Sequence, residues 1–130
     1  MLDTNIASFV IKGNRPALDR HLARIPVGNV FISAVTEAEL RYGVARIAPA
    51  PRLEMLVKEF LLTVTILPWD SAAALAYAEL RTNLERAGQP TSNLDLMIAA
   101  HALAGGAVLV TNDRTFSRIR NLEVVDWSTA

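Results

Sequence analysis

Short apolar runs rich in β-branched residues recur along this chain, and longer helical stretches separate them. Val30 to Ser33, Val64 to Leu67, Ala107 to Thr111 and Glu123 to Asp126 read as strands, and Leu2 to Asn5 as the end of another. The runs are continuous rather than alternating, as in strands covered on both faces. Between them the helices have recognisable ends. Asn14 and Pro16 open one that stops near Ile25 and Pro26, and Ser33 can cap one running through Arg46. Asp70 can cap an Ala-rich helix that stops at Gly88, and Gly105 and Gly106 end the next. Strands and helices in this alternation predict an α/β fold, a central, mostly parallel sheet with helices on both sides. In such sheets the functional crevice lies beyond the carboxyl ends of the strands. With 130 residues and no internal repeat or linker, one domain over 1–130 is expected.

Four acids fall where that rule directs attention. Asp3 ends the first strand and Asp113 follows VLVTN at the end of another, both in places where a turn or cap aspartate is also common. Asp95 lies in the first turn of NLDLMIAAHAL, sharing a face with Ile98, Ala99 and Ala102. A carboxylate there needs compensation. Either Ser92 is the N-cap and Asp95 the acid of a capping box, or a metal ion balances it. Glu37 precedes Arg41 by four residues and reads as a surface ion pair, whereas Glu39 is placed inward beside Val35, Ala38 and Tyr42, with Gly43 leaving space.

Carboxylates crowded into one crevice resist ionising together, and a divalent cation removes the conflict. Oxygen donors without cysteine favour Mg²⁺ or Mn²⁺ over Zn²⁺. The reaction class this suggests is metal-assisted phosphodiester hydrolysis. The formal net charge is zero, from 13 basic and 13 acidic residues, so nucleic acid is not held by bulk electrostatics; a local patch or a metal-bridged phosphate is required. The absence of cysteine excludes disulfides and fits a reducing cytoplasm. No apolar run nears the ~20 residues that cross a bilayer, and MLDTNI lacks the regions of a signal peptide.

Taken in order, MLDTNI, ISAVTEAELRYG, SNLDLMIAAHALAGGAVLVTND and LEVVDW resemble a PIN-domain ribonuclease of the VapC toxin type, over nearly the whole chain. The resemblance implies a three-layer α/β/α sandwich and Mg²⁺- or Mn²⁺-dependent endoribonuclease activity, leaving a 3′-hydroxyl and a 5′-phosphate. It also implies a tRNA substrate, with the initiator tRNA anticodon stem-loop preferred, a VapB-type antitoxin and a homodimer. By motif the family's acids fall on Asp3, Glu39 and Asp95, with Asp113 as a fourth that acts directly or through water. Asn5, Ser33 and Thr111 would orient carboxylates or water. Similar chains carry extra apolar residues before Leu-Asp-Thr-Asn, so the first strand is expected to be very short and poorly anchored here, or the true start to lie upstream.

Arg114, Arg118 and Arg120 follow Asp113 and could hold an RNA backbone or be merely solvated. His21, between Arg20 and Arg24, and His101 are read as structural or surface residues. Met55, Leu56, Phe60 and Leu61 form an apolar stripe that is core, or in part an antitoxin or dimer surface. Two rivals remain. A receiver-type signalling domain needs a lysine at the end of its last strand, and the chain's lysines are Lys12 and Lys58. A catalytically silent RNA-binding or interaction module of the same fold would not need all four acids.

Overall fold

The computed structural model describes residues 1–26 and 28–129. Its helices are α1 (Thr4–Lys12), α2 (Pro16–Ala23), α3 (Ala34–Ala45), α4 (Pro51–Thr63), α5 (Ser71–Arg86) and α6 (Asn93–Ala104), with a 3₁₀ helix over Arg114–Arg118. The strands are β1 (Phe31–Ser33), β2 (Thr65–Leu67), β3 (Leu109–Val110) and β4 (Val124–Val125). β1 pairs with β2 and β3 with β4, both in parallel. Residues 1–3 stitch the two pairs together. Leu2 N donates to Phe31 O at 2.9 Å on one side; Asp3 N donates to Val110 O and Val110 N to Met1 O, at 3.0 and 2.8 Å, on the other. The order is β2-β1-(1–3)-β3-β4, and the first strand is its centre. It is short, as expected, but bonded on both edges rather than poorly anchored.

Neighbouring strand residues point to opposite faces, and the core divides accordingly. Met1, Leu109 and Val124 join one apolar cluster with Leu96, Ile98, Phe116 and Ile119, beneath α5, α6 and the 3₁₀ helix. Leu2, Val110 and Val125 join the other with Ile6, Leu18, Leu40 and Phe60, beneath α1, α2, α3 and α4. These are the two outer layers of the expected sandwich. The helix caps at Ser33 and Asp70 are as read, their side chains accepting from Val35 N and Ala73 N. Among the described residues no helix is long and apolar enough to cross a membrane.

Two local expectations change. Residues 4 and 5 are helical, not strand: Asp3 caps α1, and Gly13 closes it at φ 69°, so a helix begins within the expected strand end and runs through residues that the sequence reading left unassigned. On α4, Phe60 and Leu61 are core, but Met55 is exposed and Leu62 beside them more so. The apolar stripe is therefore split between core and surface.

Candidate functional site

Asp3 reaches the site because the central strand ends there and turns at once into α1. It is only 6% exposed. Its Oδ1 accepts from Ile6 N at 2.8 Å, and the Thr111 hydroxyl donates to the same carboxylate. Burial pushes its pKa above the ordinary value, the two hydrogen bonds oppose this, and the charges of Asp113 and Glu39 add to the rise. Thr111 ends the neighbouring strand, and its Oγ1 also accepts from Asp113 N at 3.0 Å, tying the two strand-end aspartates to one hydroxyl. Asp113 caps the 3₁₀ helix, with Oδ1 accepting from Thr115 N at 3.0 Å and Thr115 Oγ1 at 2.8 Å.

Asp95 projects from the first turn of α6, on the other layer. Ser92 makes no side-chain capping bond, and Asp95 accepts no hydrogen bond from the described residues. The capping-box reading is thereby withdrawn. Burial raises the Asp95 pKa, and the charges of Glu39, Asp3 and Asp113 raise it further. Asp3 and Asp95 thus each lie within the electrostatic reach of Glu39 and Asp113, and Asp95 within that of Asp3.

Glu39 is held by Thr4, whose Oγ1 donates to Oε1 at 2.6 Å and lies 3.2 Å from Thr36 Oγ1. The inward placement of Glu39 stands, but the stripe used to argue it does not: Ala38 and Tyr42 are exposed. The buried face of α3 carries Val35, Thr36 and Leu40, and Glu39 lies one turn beyond Thr36. Glu37 pairs with Arg41 at 2.9 Å, as expected.

Of the supporting residues, Thr111 contacts Asp3 and Asp113, and Asn5 Nδ2 donates to Asn112 Oδ1 at 2.9 Å beside them. Ser33 does not bond any of the four acids: its hydroxyl caps α3 and lies 2.8 Å from His101 Nδ1. His101 is accordingly a buried structural partner of Ser33, its pKa lowered by burial and partly restored by Asp70. His21 stacks on Trp127 at 5.2 Å, away from any acid–base arrangement with the carboxylates. Arg114, Arg118 and Arg120 are exposed and in no ion pair among the described residues; Arg118 and Thr115 line a hollow of about 220 Å³ against loop 88–91.

Thr4, Thr36 and Asn112 are the residues the sequence reading passed over. Thr36 stands at i−3 from Glu39, so helical spacing carried a usable signal for it, whereas the Thr4–Glu39 bond spans 35 residues of sequence. Among the described residues no three acids or imidazoles close tightly enough to enclose an ion unaided. The donors the acids offer are oxygens, the kind Mg²⁺ or Mn²⁺ takes.

A PIN domain model matches residues 1–122. A tRNA(fMet)-specific endonuclease VapC of Shigella flexneri is 40% identical over 129 residues, spanning 98% of this chain and 97% of the relative. The structure of VapBC2 from Rickettsia felis bound to a DNA fragment from its promoter superposes with a TM-score of 0.88 at 35% identity, covering 98% of this chain and 97% of that one. VapBC-1 from nontypeable Haemophilus influenzae gives a TM-score of 0.89 at 30% identity, covering 99% and 98%. The chain belongs to the PIN-domain family, in its VapC-type branch.

Proposed function

We propose that this chain, acting as a single domain, is a metal-dependent toxin endoribonuclease that cleaves structured RNA and is neutralised by a VapB-type antitoxin. The observation that carries the site assignment is Asp95: a half-buried carboxylate without a hydrogen-bond donor, facing three other acids. No side-chain cap or hydrogen bond accounts for it, and a divalent cation would. The full-length likeness to tRNA(fMet)-specific endonucleases supports tRNA, and initiator tRNA in particular, as substrate. The cysteine-free composition supports action in the cytoplasm.

Asp3, Glu39 and Asp95 would hold the ion, with Asp113 completing the set directly or through water. Magnesium or manganese suits oxygen donors; when bound it neutralises charge building on the phosphate and makes water a better nucleophile. The chain's own contribution is preorganisation. Ile6 N and Thr111 fix one carboxylate, Thr4 fixes the glutamate, and Thr115 occupies Oδ1 of Asp113, leaving Oδ2 for the crevice. Arg114, Arg118 and Arg120 would bind the RNA backbone on the α6 side. The antitoxin is assigned to the groove of about 640 Å³ between α3 and α4, lined by Val44, Val57, Leu61 and Leu62 and edged by Arg41, Glu54 and Lys58. A homodimer is retained as part of the proposal, to be read from the mass in solution.

The test is cleavage of purified tRNA by the isolated protein with Mg²⁺, with and without EDTA. Site-specific cleavage abolished by EDTA is expected. Cleavage that persists in EDTA would overturn the metal assignment, and no cleavage of any RNA would overturn the activity.

A further inference from the structure

α2 and the end of β4 form a feature that the carboxylate site does not use. Val110 and Val125 are register partners and Val125 O accepts from Thr111 N at 3.0 Å, so Trp127 follows two residues after the last bond to the segment that leads into Asp113. Trp127 thus stands just past the carboxyl end of β4. His21 stacks on it with ring centroids 5.2 Å apart and planes 5° from parallel, both rings half-buried. That stack fixes the face of α2 next to it. Arg20, His21, Arg24, Ala17 and Thr129 enclose a hollow of about 150 Å³.

The chemistry of this hollow is that of an anion site. Arg20 and Arg24 are four residues apart, so their guanidinium groups share one face of the helix, and both are exposed. Neither is in an ion pair among the described residues, where the recorded pairs are Arg41 with Glu37 and Arg81 with Glu85. Imidazole and hydroxyl donors from His21 and Thr129 complete the lining. Asp19 is the one acid of α2, against Arg20 inside the helix and Arg15 and Arg24 at its caps. Two like-charged side chains facing one another at i, i+4 cost the helix a little stability, a cost that an anion between them removes. This cluster belongs to the α1–α4 layer, whereas Arg114, Arg118 and Arg120 belong to the opposite one. The acids lie at the seam between.

We propose that Arg20 and Arg24, steadied by the His21–Trp127 stack, form a second RNA-backbone site that takes phosphates flanking the scissile one. This rests on the ribonuclease reading for its ligand. The bound strand then crosses the sheet edge from one layer to the other, gripped by arginines on both sides of the carboxylates. Such a local clamp supplies what a chain of zero net charge lacks in bulk attraction.

Binding of tRNA to the full chain in EDTA, where no cleavage is expected, tests the clamp without needing activity. Arg20→Ala with Arg24→Ala should weaken binding about tenfold or more and lower the salt slope by about 2. Arg20→Lys with Arg24→Lys should retain most of the slope, because the charges remain. In Mg²⁺ the Ala pair should raise KM and leave kcat unchanged. Unaltered tRNA binding by the Ala pair overturns the proposal, as does a wild type that binds no tRNA. So does weakened binding to the antitoxin alone, which would assign the arginines to an acidic protein partner. A wild type that binds but does not cleave defeats the ribonuclease reading and leaves the clamp standing.

Discussion

Two strand ends in this sheet each deliver an aspartate that caps the helix following it. Asp3 accepts from Ile6 N and begins α1; Asp113 accepts from Thr115 N and begins the 3₁₀ helix. Both also touch Thr111. They differ in burial: Asp3 is 6% exposed, whereas Asp113 sits half-exposed. A cap needs only a side-chain oxygen at the helix start, and Asp113 shows that the surface suffices for it. Sinking the same carboxylate into the centre of the sheet, near three other acids, goes beyond capping and raises its pKa. The excess burial, not the cap, is what supports the chemical role proposed for Asp3.

Mutation can break this comparison at its strongest point. Asp3→Asn keeps a capping oxygen and removes the charge. We expect cleavage to fall by about a thousandfold, the scale set by losing several kcal/mol of transition-state charge stabilisation, while circular dichroism and Tm show a folded protein. Asp95→Asn should behave alike. Growth arrest by either variant equal to that by wild type would refute the site. Asp113→Asn should cost less, about 10–100-fold in rate at limiting Mg²⁺, as for a group acting through water. A loss matching that of Asp3→Asn would make it a direct ligand and erase the distinction.

Thr4→Val sharpens the comparison on a third acid. It removes the 2.6 Å bond to Glu39 while keeping the side-chain shape. Single-turnover rates should drop about tenfold, the equivalent of one hydrogen bond to a charged group, with stability changed less than activity.

The smallest effect is in pH. The native pKa of Asp3 is raised, so between that value and the unfolded value near 3.8 the native state binds more protons than the unfolded one. Stability carried by Asp3 therefore increases as pH falls through the native pKa, and its burial penalty is complete above it. His101 runs the other way: its lowered pKa removes stability as pH falls below the ordinary 6.5. Urea denaturation of the metal-free protein at successive pH values, wild type against Asp3→Asn, cancels the His101 contribution. The wild type should gain on the variant upon acidification; a gap independent of pH would show that Asp3 is not penalised by its burial.

The layers, most helices and the placement of Asp3 and Asp113 at strand ends and of Asp95 in a first helical turn were legible in the sequence, because continuous β-branched runs and cap residues are local signals. Asp70 and Ser33 cap as read. What was illegible depended on contacts between distant segments. α1 was missed because TNIASFVIK is rich in β-branched residues, and its stability comes from packing Ile6 and Ala7 and from the caps at Asp3 and Gly13. Glu39 was placed inward for a mistaken reason, since Ala38 and Tyr42 face solvent and the true inward neighbour is Thr36. Ser33 matched a motif position yet bonds His101, 68 residues away, a partner no local spacing could supply.

The central strand also precedes in sequence both of the strands it bonds to. Its neighbours on one side arrive at Val110, and the Asn5–Asn112 bond beside the acids spans 107 residues of sequence. During synthesis Asp3 waits without the hydroxyl of Thr111 and without Asp113, and α1 begins beside an open sheet edge. A chain halted before β3 carries at most three of the four acids and lacks β3 and β4, the strands that complete the seam. The acid cluster is thus completed only after β3 and Asp113 have been made, and the long sequence separation of its contacts sets that delay.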